Sequence, residues 1–233
     1  MTHEMEEFRI KEAYARRKAL VPPGRYSWFN RGNIVMQQEL ERCLLSFLDR
    51  FGCAPLHNRL ILDVGCGAGY WLRNLIRWGA EPENMYGIDL LDERIADARH
   101  LLPKSVTLIS GNATKLEFPD ATFDLVTQFT VFSSILDVTV KQKIAGEMLR
   151  VLKPSGRIIW YDFYLNNPWN PDVRGVRKRE IFHLFPSCRS HFQRLTLAAP
   201  AARALGRVSP ALCQMLSSIK LFSTHYLAFL AKS

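Results

Sequence analysis

This 233-residue chain is short of paired cysteines, long apolar runs and, in its last third, acidic residues. Its five cysteines stand at 43, 53, 66, 188 and 213 with no C-x-x-C spacing, which excludes a zinc ribbon or a disulfide framework as the organising device. No stretch approaches the roughly 18 consecutive apolar residues of a membrane-spanning helix. Met1 to Glu7 is acidic and lacks the basic and apolar regions of a secretory leader, so a cytoplasmic setting is expected. No internal repeat or low-complexity tract interrupts the chain. Residues 164–233 hold 10 Lys and Arg against 2 Asp and Glu, whereas residues 1–163 hold 21 against 20. The basic tail reads either as an anion-attracting surface or as a plain solvated one. No nucleic-acid-binding module is appended, so no DNA partner is expected.

What is present is a decorated strand–helix alternation. With 48% hydrophobic residues the chain can bury a sizeable core. Residues 4–19 read as a charged helix stopped by Val21-Pro22-Pro23-Gly24, and Ile34 to Phe51 as an amphipathic helix ended by Gly52. Leu60 to Val64 is an apolar strand broken by Gly65, Gly67 and Gly69, and Tyr70 to Trp78 restarts as a helix. Glycines at such a turn let the backbone approach a ligand closely, next to the free N–H groups of a helix start. The dinucleotide pattern G-x-G-x-x-G would need a glycine at 70, where Tyr70 stands.

The turn Asp63-x-Gly65-x-Gly67-x-Gly69 instead resembles the first motif of class I S-adenosylmethionine-dependent methyltransferases. Four further stretches follow in that family's order: Met85–Leu90 ending in Asp89, Val106–Ala113 ending in Gly111-Asn112-Ala113, Phe123–Phe129, and Leu149–Trp160 with its Lys153-Pro154-Ser155-Gly156 turn. The resemblance covers about residues 58–163. It implies an α/β fold: a Rossmann-like, seven-stranded, mostly parallel sheet with helices on both faces. Residues 1–57 would form a helical extension or lid, residues 58–163 the cofactor-binding core, and residues 164–233 an α+β part that completes the sheet, all as one domain. In that part a loop from Tyr164 to Pro171, a helix from Arg177 to Phe185, a strand from Cys188 to Ala198, two short helices between 199 and 219, and a last strand from His225 to Ala231 are expected. The family's seventh strand lies antiparallel between the fifth and sixth.

The resemblance also implies S-adenosylmethionine as cofactor and S-adenosylhomocysteine as product. Asp63 would order the turn and face the methionine ammonium through water. Gly65, Cys66, Gly67 and Gly69 would form the turn, with Cys66 a small residue that fits it. Asp89, beside Leu90, would take the ribose hydroxyls, Asn112 and Ala113 the adenine, and Gln128 and Phe129 the methionine part. No Asn-Pro-Pro-Tyr or Asp-Pro-Pro-Tyr follows the fourth strand, which argues against the family branch that methylates exocyclic nitrogens of adenine or glutamine amides and for an oxygen nucleophile with a base. Asp162 and His183 are the candidate bases; each also reads as an ordinary strand-end or helix residue. No acid cluster suggests a metal. On the acceptor side stand Tyr26, Trp28, Phe132, Tyr164 and the basic pair Arg174 and Arg177. The loop with Tyr26, Trp28, Phe29 and Arg31 would make a lid or a helix-docking loop, Phe132 and Tyr164 would border the substrate, and the basic run Arg174, Arg177, Lys178 and Arg179 would clamp an anionic group or form a solvated surface. The expected activity is O-methylation of a small molecule or a glycan or glycolipid acceptor. RNA methylation, suggested by the basic tail, and non-catalytic cofactor binding are the alternatives.

Overall fold

The computed structural model describes residues 3–22, 24–168 and 170–232. Met1 and Thr2 of the acidic terminus, Pro23 of the helix stop and Trp169 of the 164–171 loop lie outside the described residues. The chain begins with two helices, α1 (His3–Leu20) and α2 (Arg31–Arg50), whose start is capped by the Asn30 side chain accepting from the Gly32 N–H. The alternating body follows: β1 (Ile61–Val64), α3 (Tyr70–Arg77), β2 (Met85–Asp89), α4 (Asp92–Leu101), β3 (Thr107–Ser110), β4 (Phe123–Phe129), α5 (Val138–Val151) and β5 (Leu152–Phe163). The last part contributes α6 (Lys178–Leu184), β6 (Cys188–Leu197), α7 (Ala199–Val208), α8 (Pro210–Ser218) and β7 (Ser223–Lys232).

The strands form one sheet in the order β3-β2-β1-β4-β5-β7-β6, parallel from β3 through β5 and closed by antiparallel β7 and β6. β1 sits in the middle with all four residues buried, as expected for a parallel strand covered on both faces. One face packs on α2, α3 and α4 through Leu44, Leu72, Leu75, Ile95, Ile61 and Ile159. The other packs on α5 and α6 through Ile144, Met148, Ile181, Leu62, Val126 and Trp160. The strand order reverses between β1 and β4, and ligands in such sheets sit outside the carboxyl ends of the strands at that switch point.

One expected turn is absorbed. Lys153-Pro154-Ser155-Gly156 belongs to β5, because α5 runs directly into it. The register jumps from Leu152 opposite Phe123 to Arg157 opposite Leu125, so the extra residues bulge out of the ladder. No described helix is long and apolar enough to cross a membrane.

Candidate functional site

Beyond Val64 the backbone turns through Gly65, Gly67 and Gly69 at φ +71°, +53° and +75°, a region that L side chains enter only with strain. The Gly65 and Cys66 N–H groups donate to the Ile88 carbonyl at 2.7 and 3.0 Å and so fix the turn to β2. The three glycines serve different purposes. A Cβ at Gly65 would lie 2.3 Å from Val131 Cγ2 and one at Gly69 2.5 Å from Leu102 Cδ1, whereas one at Gly67 would meet nothing within 4 Å. Packing demands the outer two; the middle one faces open space that a ligand can occupy. The Cys66 thiol is buried, and burial, with Asp63 and Asp89 nearby, pushes its pKa far up, which suits a space-filling side chain.

Two acids flank the turn. Asp63 is buried, and its Oδ1 accepts from Thr127 Oγ1 at 2.6 Å. Burial pushes its pKa up to about 7, with the Thr127 bond opposing and Asp89 adding. The carboxyl is thus tied to β4 inside the sheet and supports the turn from below. Asp89 is half-buried at the tip of β2. Its Oδ2 accepts from the Gly67 N–H at 2.8 Å and its Oδ1 from the Leu91 N–H at 2.9 Å. Burial raises its pKa, against the pull of those N–H groups. The Leu90 N–H acts on the same carboxylate, which has about four lone-pair sites in all, so ribose hydroxyls would share what is left. The open cradle at Gly67 and a carboxylate at the tip of β2 are what a nucleoside with a charged tail requires, and the residues present fit the expected cofactor.

The other sequence-predicted cofactor residues lie around the same edge. Asn112 Oδ1 accepts from the Thr114 N–H at 3.0 Å, and its Nδ2 donates to Glu7 of α1 at 3.3 Å; Ala113 packs toward the α5 face. Gln128 is buried, its Oε1 accepting from the Val131 N–H at 3.1 Å and its Nε2 donating to the Tyr161 carbonyl at 3.4 Å. It orders the bend in which Thr130 adopts φ +60°. Phe129 stacks on Trp71 with centroids 4.2 Å apart.

Helix α1, part of the 1–57 segment expected as an extension or lid, lies across this edge. Glu6, fully buried, accepts from the Leu136 and Asp137 N–H groups at 2.6 and 3.3 Å and from Arg9 at 2.9 Å. Arg9 also donates to the Ser134 carbonyl at 2.6 Å, and Lys18 pairs with Glu93 at 2.7 Å. Between α1 and the end of β2 is a cavity of about 550 Å³ lined by Lys11, Tyr14, Lys18, Leu90, Leu91 and Asp92. Thr127, the buried Glu6 contacts of α1 and the cavity are the site's unforeseen parts. The only signal for them was the charge of α1, which reads as solvated.

The acceptor-side expectations need correction. Asp162 is fully buried, with its oxygens accepting from the Ser133 and Phe163 N–H groups at 3.0 and 2.8 Å. Burial lifts its pKa to about 6. It braces the 132–134 turn against β5, out of reach of a substrate. His183 is exposed near the far end of α6, its Nδ1 2.6 Å from the Arg179 carbonyl; α6 leads down to Cys188, which pairs with Lys232 at the opposite edge of the sheet. Phe132 is core, against Trp160 at 4.5 Å. The Tyr164 hydroxyl donates to the Ser223 carbonyl, and its ring stacks on Tyr226 at 4.3 Å. Arg174 is drawn to Glu180 at 3.2 Å, which also holds buried Lys141 at 2.7 Å, while Lys178 lies 4.9 Å over the Phe192 ring. Arg177 is exposed at the start of α6. The basic run therefore does not converge on one pocket. Tyr26 accepts from Arg17 at 2.6 Å, and Trp28 stacks on Tyr70 at 6.2 Å, so both stand over the start of α3 and α1. Among the described residues no group of His, Cys, Asp and Glu forms a metal site.

Residues 61–156 match the family described as methyltransferase domain. A demethylmenaquinone methyltransferase of Bacillus mycoides is 34% identical over 102 residues, 42% of each chain. The ubiquinone/menaquinone biosynthesis C-methyltransferase UbiE of Vibrio vulnificus is 30% identical over 160 residues, 66% of this chain and 59% of that one. The matched part thus spans about half the length of these relatives, 42% and 59%. Among solved structures, a SAM-dependent methyltransferase from Archaeoglobus fulgidus superposes with a TM-score of 0.58 at 16% identity, covering 83% of this chain and 94% of that one. The [4+2]-cyclase SpnF does so with a TM-score of 0.62 at 17% identity, covering 84% and 86%. The first four motifs in order, the glycine turn bolted to β2, the strand order and these matches lead to one conclusion: residues 61–156 carry a methyltransferase domain, within a sheet of the class I S-adenosylmethionine-dependent methyltransferase fold.

Proposed function

We propose that the protein transfers a methyl group from S-adenosylmethionine to a small-molecule acceptor, with a ring carbon of a quinol as the favoured acceptor atom. The observation that carries the first part is Asp89, a half-buried carboxylate at the tip of β2 that holds the Gly67 N–H beside a glycine turn open at Gly67. The glycine set, ordered from below by Asp63 and Gln128, would hold the amino-acid end of the cofactor, and Asp89, Leu90, Asn112 and Ala113 its nucleoside. When bound, the cofactor supplies an activated methyl on a sulfonium, so the protein's task is to align the acceptor and exclude water. Phe129 stacks on Trp71 in the core beneath this edge of the sheet, and Trp28 stands over Tyr70 at the start of α3.

The carbon acceptor is supported by the relatives, which are named as quinone methyltransferases, one of them a C-methyltransferase. The oxygen-acceptor reading came from the missing Pro-Pro-Tyr motif and called for a base; of its two candidates, Asp162 is buried and spent on the Ser133 and Phe163 N–H groups, and His183 is exposed on α6. SpnF has the same fold and a different reaction, so fold alone does not choose the chemistry. The test is turnover: S-adenosylhomocysteine release with a demethylated naphthoquinol, a monosaccharide panel and bulk tRNA, followed by NMR of the product. A new C–CH3 signal on the quinol supports the proposal. An O–CH3 product on a sugar, or methylation of tRNA alone, overturns the acceptor reading.

A further inference from the structure

The end of the sheet that carries the cofactor turn also carries an exposed apolar surface with no acidic residue. β6 ends and β7 begins at this end: His225 of β7 pairs with Phe163 at the carboxyl end of β5, and Ser223 pairs with Leu197. The 25 residues 198–222 between them fold into α7, α8 and a short 3-10 turn. They dock on the start of α2, where Gly32 and Gly206 let the backbones touch; a Cβ on Gly206 would lie 2.3 Å from the Gly32 nitrogen. Arg203 extends this surface to the loop before α2, with Nε on Asn33 at 3.1 Å and its guanidinium 5.6 Å over Tyr26.

α8 buries Cys213 and Ser217 and turns Leu212 and Met215 outward. From Val208 to Ile219 there is no charged residue, an unusual composition for an exposed helix. Phe29, Val208 and Leu221 stand 98%, 81% and 78% exposed. They protrude singly, so they suit a fluid apolar phase better than a shape-matched protein pocket. Around them are Arg25, Arg31, Arg203 and Arg207, with Lys220 drawn to the buried Glu39 of α2 at 3.3 Å; neither residues 20–38 nor residues 181–233 contain an Asp or Glu. Among the described residues Arg25, Arg31 and Arg207 make no ion pair. Two copies of such a face would repel each other.

We propose that this face, the loop around Phe29 with α7, α8 and the 219–222 segment, docks the protein on a bilayer that bears anionic phospholipid headgroups. Apolar side chains enter the headgroup boundary while the arginines meet the phosphates. The cofactor turn then faces the membrane. The inference rests on surface chemistry alone and holds whichever acceptor is used.

The experiment is flotation of the full chain with large unilamellar vesicles of phosphatidylcholine, with and without phosphatidylglycerol. The protein floats with the anionic vesicles, about tenfold less with the neutral ones, and less as salt is raised. The Leu212→Asp/Met215→Asp double variant floats at least about tenfold less, while its circular dichroism and its S-adenosylhomocysteine affinity match wild type. Phe29→Ser is the second probe, because a side chain 98% exposed contributes nothing to the core; it too floats less. Failure of wild type to float overturns the proposal, as does equal flotation of Phe29→Ser or of a folded double variant. A wild-type dimer in sedimentation equilibrium that the double variant abolishes, with no vesicle binding, assigns the face to a second copy instead.

Discussion

A methyl group added at Gly67 would point into the space beside the turn, and one added at Gly65 would strike Val131 at 2.3 Å. The two substitutions should therefore fail differently. Gly67→Ala adds left-handed strain of about 1–2 kcal/mol. It should fold with a modestly lower thermal midpoint and lose at least about tenfold in cofactor affinity, through overlap worth about 1.4 kcal/mol or more. Gly65→Ala carries the same strain and a collision with packed side chain, so its loss shows first in stability. Differential scanning calorimetry beside titration calorimetry separates them. Asp63 gives a pH signature. Its folded pKa, about 7, lies above the 3.8 of an exposed aspartate, so the folded state binds the proton more tightly. The stability of wild type relative to Asp63→Asn is then greatest below about pH 4 and falls as pH rises toward 7. Denaturant midpoints of both proteins across that range check this; a parallel pair of curves would contradict it.

Among the elements, α1 is the one whose role could not be read locally. Its charged pattern predicts a helix, and a helix forms, but the same pattern reads as a solvated face. Burial of Glu6 arises from contact with Leu136 and Asp137, some 130 residues away, and no local periodicity encodes such a pairing. Burial pushes the Glu6 pKa up, but Arg9 and the two N–H groups outweigh it, and the net direction is down. The charge therefore stabilises docking above the ordinary glutamate range, and that contribution is lost in acid. Glu6→Ala removes hydrogen bonds to a charged group worth about 1.5–3 kcal/mol each. It should speed hydrogen exchange across residues 3–20 and raise the dissociation rate of S-adenosylhomocysteine, leaving exchange in β1 and β4 unchanged. Unchanged exchange in α1 would show that Glu6 does not hold it. The body elements, by contrast, were legible because each is locally self-consistent: the apolar run of β1, the capped amphipathic α5 and the glycine stops. The Lys153–Gly156 segment differs from expectation because a turn sequence can be carried as a bulge when both flanks pair with β4.

At the scale of the whole molecule, the strand–helix alternation foretold a parallel sheet covered on both faces, and the family resemblance foretold the antiparallel β7 between β5 and β6. The acceptor side was not legible. Charge counted along the chain did not reveal that Glu180 would hold both Arg174 and Lys141, nor did aromatic content show that Phe132 would enter the core. The central claim is that Asp89 and the glycine turn make a nucleoside site for S-adenosylmethionine. The most direct measurement is titration calorimetry of wild type and Asp89→Ala with S-adenosylhomocysteine and with NAD. The account predicts S-adenosylhomocysteine binding to wild type, no NAD binding, and a loss of a few kcal/mol in a folded Asp89→Ala, from two hydrogen bonds of about 1.5–3 kcal/mol each. NAD binding without an S-adenosylhomocysteine signal, or an unchanged affinity in the folded variant, would contradict it.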